Sequence, residues 1–176
     1  TNLLIQLFNR QMPLNINLFP SHKLNYNDHS IKTFAQHYSL WQCPYEIMKL
    51  IEREQIEGHT SLTNIFEIRF VLRRKKRHED VKVQKCVESL FKVLKIEVPD
   101  SVDMLEANRL QSEQPLDPFD SIALSIILVK SVILISRDKE FIELARNLDV
   151  ESYTPEEFLK RHFSNIFERI KDNPEG

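Results

Sequence analysis

The fold turns on one stretch, residues 116–141, LDPFDSIALSIILVKSVILISRDKEF. Asp117 followed by Pro118 is a favoured helix opening. The N-cap carboxylate accepts from amides that have no helical partner, and proline at the first helical position sacrifices no hydrogen bond. Small and apolar residues then carry the helix to about Val129. Residues 131–136, Ser-Val-Ile-Leu-Ile-Ser, form a short apolar run suited to a strand buried on both faces. A second helix follows over 139–148. Helix, buried strand and helix in so short a span predict an α/β unit built on a parallel sheet.

Outward from this stretch the alternation continues. Residues 60–63 read as a strand, 64–75 and 80–94 as helices, and 95–98 as a strand closed by Pro99-Asp100. Residues 101–111 follow as a helix with Val102, Leu105, Ala107 and Leu110 inward. Residues 150–153 form a last strand. Thr154-Pro155-Glu156-Glu157 then caps a C-terminal helix over 154–171, whose stripe of Phe158, Leu159, Phe163, Ile166, Phe167 and Ile170 serves the core first and a protein interface second. Upstream, 30–40 and 44–57 read as two helices. Residues 9–27, rich in Asn and Pro, lack periodicity. The span 9–57 reads as a loop and helical insertion within a single domain over 1–176.

Composition narrows the function. Twenty-four Lys and Arg against 26 Asp and Glu give a net charge of −2, so any nucleic-acid contact must be a local patch. Only two glycines occur, Gly58 and Gly176. Phosphate-cradling loops, dinucleotide fingerprints and glycine-flanked serine elbows cannot be written with so few. Cys43 and Cys86 form neither a close pair nor a zinc pattern, which makes a reducing cytoplasm the expected setting. No apolar run reaches the roughly 18 residues of a membrane span. His59, His78 and His162 read as surface histidines.

Side chains are left to carry the chemistry, and three acids stand out. Glu67 and Asp138 follow strands by a few residues, and Asp120 lies in the first turn of the helix that Asp117 opens. Ligands of parallel sheets bind outside the carboxyl ends of the strands. Carboxylates gathered there repel one another unless a cation sits between them, and oxygen donors favour Mg²⁺ or Mn²⁺. Such an ion can activate water and stabilise charge on a phosphodiester undergoing hydrolysis. Helix capping is the ordinary explanation of each acid taken singly: Asn64-x-x-Glu67 has the form of a capping box, and Asp117 and Asp138 precede helices.

These residues resemble the PIN-domain family of metal-dependent nucleases. The resemblance is densest in Leu116–Ser125 and Val132–Phe141, and extends to Ser-Leu-Thr-Asn-Ile-Phe-Glu at 61–67 and to the first few residues of the chain. It implies an α/β/α three-layer sandwich around a central parallel sheet. It implies metal-binding and catalytic roles for Glu67, Asp120 and Asp138, a weaker metal role for Asp117, and polar support from Asn2 and Ser136. It also implies an RNA substrate and, as in small toxin members, an antitoxin partner covering the site. The family's first acid and first strand are expected immediately upstream of Thr1.

Arg73-Arg74-Lys75-Lys76-Arg77 is the best candidate for an RNA-backbone patch, although cations at a helix end are also favoured by its dipole. Phe19, His22, Tyr26, His29, Phe34, His37, Tyr38 and Trp41 could stack bases, but a hydrophobic subcore or a homodimer contact is the preferred reading, since the region also supplies Ile31, Leu40 and Ile47. Two functions are therefore expected in competition. One is a metal-dependent endoribonuclease; the other is a non-catalytic PIN-like module that binds RNA or protein through an incomplete acidic site.

Overall fold

The computed structural model describes residues 2–5, 31–75 and 77–172, but not the side chains of 2–5, 31–41 and 75. Its strands are β1 Asn2–Ile5, β2 Glu57–Ser61, β3 Lys95–Glu97, β4 Ile133–Ile135 and β5 Ser152–Tyr153. They form one parallel sheet in the order β3-β2-β1-β4-β5. The helices are α1 Ile31–Glu52, α2 Leu62–Phe70, α3 Asp80–Val93, α4 Ser101–Glu113, α5 Pro118–Lys130, α6 Lys139–Asn147, α7 Pro155–His162 and α8 Ser164–Asp172. A π-helical turn, Val71–Lys75, prolongs α2.

Side-chain alternation along β4 separates two cores. Leu134 joins Leu110, Leu124, Ile127 and Phe141 of α4, α5 and α6 on one side. Ile135 faces the other side, with Ile47 and Leu50 of α1, Ile68 of α2, Val83 and Leu90 of α3, and Phe158 and Leu159 of α7. The sheet is thus the middle layer of three. Gly58 lies in β2 against closely packed side chains. A Cβ there would come within 2.5 Å of Ile51 Cδ1 and 2.7 Å of Leu94 Cδ2.

Strand order reverses beside β1. The chain builds outward through β2 and β3, then returns to place β4 on the opposite side of β1. A crevice forms at such a switch point, at the carboxyl ends of the strands. The loop after β4 leaves the sheet at that end.

Several expectations are corrected. The first strand, expected upstream of Thr1, is found within the chain: β1 forms the centre of the sheet, with Leu3 paired to both Gly58 and Ile133. The apolar run Leu3-Leu4-Ile5 is what a strand between two parallel neighbours requires. The two upstream helices are one, α1, which continues through Pro44. Its residues Cys43, Ile47, Leu50 and Ile51 belong to the core, so this part of 9–57 is a wall of the domain; residues 6–30 lie outside the described residues. On α4 the inward stripe is Asp103, Ala107 and Leu110, which leaves Val102 and Leu105 exposed. The C-terminal helix breaks at Phe163 into α7 and α8.

Candidate acidic site

The loop between β4 and α6 is built by local hydrogen bonds. The Asp138 N–H donates to Ser136 Oγ at 3.1 Å, and the Phe141 N–H donates to Asp138 Oδ1 at 3.1 Å, which makes Asp138 the N-cap of α6. Ser136 is buried. Between them, the Arg137 guanidinium pairs with Glu156 in the first turn of α7. Asp138 is thus held by hydrogen bonds to Ser136 and from Phe141, in a loop that the Arg137–Glu156 pair ties to α7. Its cap engages one carboxylate oxygen, Oδ1.

Asp117 caps α5. Its Oδ1 accepts from the Phe119 N–H at 2.8 Å and the Asp120 N–H at 2.9 Å. The cap thus fixes the backbone of Asp120 and leaves the Asp120 side chain outside the capping interaction. In α2 the N-cap is Ser61, whose Oγ accepts from the Asn64 N–H at 3.1 Å. The capping box read at Asn64-x-x-Glu67 is thereby corrected, since the cap lies one turn earlier. Glu67 sits one and a half turns into α2, half-buried, and helices α2 and α5 pack on each other. Glu67, Asp117, Asp120 and Ser136 all have interaction partners.

Asp138 follows the carboxyl end of β4, and Glu67 follows that of β2. Their donors are the hard oxygens that Mg²⁺ or Mn²⁺ prefers. Their spacing does not make a cage: among the described residues, no group of three or more His, Cys, Asp or Glu is arranged to hold a metal ion. Asn2 is at the amino end of β1, opposite Glu57, whereas Ser136 follows the carboxyl end of β4. The two residues expected as polar supports thus stand at opposite ends of the sheet. Of the basic run, Arg73, Arg74 and Arg77 are exposed; Lys76 and the Lys75 side chain lie outside the described residues. So do the side chains of the aromatic group at 19–41.

Two features escaped the sequence reading. Asn64 is buried with neither side-chain Oδ1 nor Nδ2 hydrogen-bonded, one turn before Glu67, and Thr60 Oγ1 is likewise buried without a partner. Only tertiary packing reveals either. His59 is buried rather than exposed: its Nδ1 lies 2.6 Å from Glu97 Oε1 and its Nε2 2.7 Å from Glu57 Oε1. The His59 and Glu57 pairing of alternate residues along β2 was the available signal.

A three-layer parallel fold with acids at its carboxyl edge defines the class. The PIN domain family model matches residues 44–147, and the chain belongs to that family. Among solved structures it is similar to VapBC-1 from nontypeable Haemophilus influenzae, with a TM-score of 0.50 and 13% identity over 88% of this chain and 97% of that one. No match to a curated protein was found.

Proposed function

We propose that this protein is a metal-dependent endoribonuclease in which Glu67, Asp120 and Asp138 form the acidic site. Asp117 acts chiefly as the cap that orients Asp120. The observation that carries the reading is the pinned Ser136-Arg137-Asp138 loop at the strand-order switch point of a PIN fold. Mg²⁺ commonly keeps several waters and is held by one or two carboxylates together with substrate phosphate, so a three-carboxylate cage is not a requirement. A bound ion would supply a water of lowered pKa and neutralise charge on the phosphorus. The chain's part is to hold carboxylates at the crevice and to present the phosphodiester in line with the attacking water, which displaces the leaving oxygen. Membership of the family and the likeness to VapBC-1 support a toxin role, with an antitoxin protein as the partner that silences the site.

The second reading, a PIN-like binding module, is favoured by the lack of a three-acid cluster among the described residues. Cleavage of an end-labelled RNA pool in Mg²⁺ or Mn²⁺ separates the two. The nuclease reading expects cleavage by the wild type that a chelator abolishes and that Asp120→Asn and Asp138→Asn each reduce by about a hundredfold or more. An intact, metal-insensitive RNA pool supports the module.

A further inference from the structure

The outer face of α2 carries two large apolar side chains in water. Phe66 is 57% exposed and Phe70 56% exposed, while Ile65, Ile68 and Leu72 of the same segment are buried. Residues four apart on a helix lie about 6 Å apart along its axis and on one stripe. Arg69 and Arg73 flank that stripe on one side, and Glu67 lies on the other, about 100° from Phe66 around the helix. The surface thus runs from guanidinium groups, across two phenyl rings, to the carboxylate assigned to the acidic site.

Charge identifies the occupant. Among the described side chains of residues 66–77 stand four cations, Arg69, Arg73, Arg74 and Arg77, against one anion, Glu67. Arg69 and Arg73 are steadied by Asp80, at 3.8 and 2.9 Å, yet their side chains stay 47% and 41% exposed. Arg69 also donates to Gln84 Oε1 at 2.9 Å and Arg73 to the His78 carbonyl at 3.1 Å. These contacts hold the guanidinium groups on the flank of α2 without burying them. A second copy of the chain would set this run against itself in a two-fold contact, with like charges opposed. A polyanion carrying exposed flat apolar groups is complementary, and an unpaired nucleic-acid strand is such a ligand; in a duplex the bases are stacked away from the rings.

We infer that Phe66 and Phe70 are stacking platforms for unpaired bases of an RNA strand whose phosphates are drawn by Arg69, Arg73 and Arg74, delivering the strand to Glu67. This inference rests on the ribonuclease reading for its choice of RNA. The test is fluorescence anisotropy with a short labelled unpaired RNA of mixed sequence, and with its duplex, in chelator so that no cleavage occurs. Phe66→Ala and Phe70→Ala should each weaken unpaired-RNA binding by roughly five- to a hundredfold without changing the salt slope. Arg73→Gln and Arg74→Gln should each lower the slope by about 0.7. Binding of the duplex should not depend on either Phe. Because the rings are exposed, the variants should keep the wild-type melting curve.

Wild-type affinity in both Phe variants overturns the inference, as does sedimentation of the wild type as a dimer that Phe66→Ala dissociates, which would make the face a subunit contact. The two readings fail separately. Cleavage by the wild type with no Phe dependence of binding removes the platforms alone, whereas Phe-dependent binding without cleavage in metal removes the nuclease and leaves the RNA surface.

Discussion

Asp138 caps a helix and, in the function proposed above, also serves the metal site. Oδ1 caps α6 by accepting from the Phe141 N–H, and the carboxylate's charge is what an ion would use. Asparagine caps about as well as aspartate but carries no charge, whereas alanine loses both functions. Asp138→Asn is therefore expected to melt within about a degree of the wild type, and Asp138→Ala to lose about 1 kcal/mol, or about 2–4 °C at this chain length. Calorimetry of the metal-free proteins checks this, and an equal loss in both variants would show that the charge itself holds the fold. The contrast also explains what was legible at this scale. The caps at Asp117 and Asp138 act on amides two or three residues away, so sequence spacing reveals them. The burial of Asn64 and His59 is set by segments distant in the chain, and spacing is silent about it.

At the scale of elements, short-range periodicity located α3, α5, α6 and β4 to within a few residues, because each buries a stripe defined by its own sequence. It failed where a partner chooses the face. The stripe of α4 rotated to bury Asp103, which closes a reciprocal capping box with Asp100, and Val102 and Leu105 were left in water. It failed again at β1, whose role depends on two neighbours far along the chain. Scarcity of glycine leaves its own mark. α5 ends on Ser131 with φ 53°, a left-handed conformation that costs an L-residue with a Cβ about 1–2 kcal/mol. Part of this gain is offset by glycine's greater freedom in the unfolded chain. Ser131→Gly should raise the melting midpoint by roughly 1–4 °C. Gly58→Ala should do the reverse, costing about 1–3 kcal/mol, because its methyl would press on the buried tips of Ile51 and Leu94. Thermal denaturation of both variants tests the pair together.

Over the whole molecule, the charge network at the β2–β3 edge links layers of the domain. Both ring nitrogens of His59 face carboxylates; Lys95 Nζ lies 2.7 Å from Glu57, and Lys130 Nζ of α5 lies 3.2 Å from Glu97. Asp100 and Asp103 at the start of α4 add negative potential at Lys130. The Glu57 carboxyl is held below its ordinary 4.5 by hydrogen bonds from Lys95 and then His59. Partial burial raises the Glu97 carboxyl, but the contacts with His59 and Lys130 more than reverse this and leave it below 4.5. With these pKa values depressed in the folded state, the unfolded chain binds more protons as the pH falls below 4.5. The stabilisation is thus fully present above that pH and is lost as the pH falls through the folded-state values. Glu97→Gln should therefore melt below the wild type at pH 7, by a margin that closes as the pH falls below 4.5. Melting midpoints of both proteins from pH 7 to pH 3 measure that margin. A gap that persists unchanged at pH 3 would assign the loss to packing of the side chain, and the edge would then be held by shape rather than by charge.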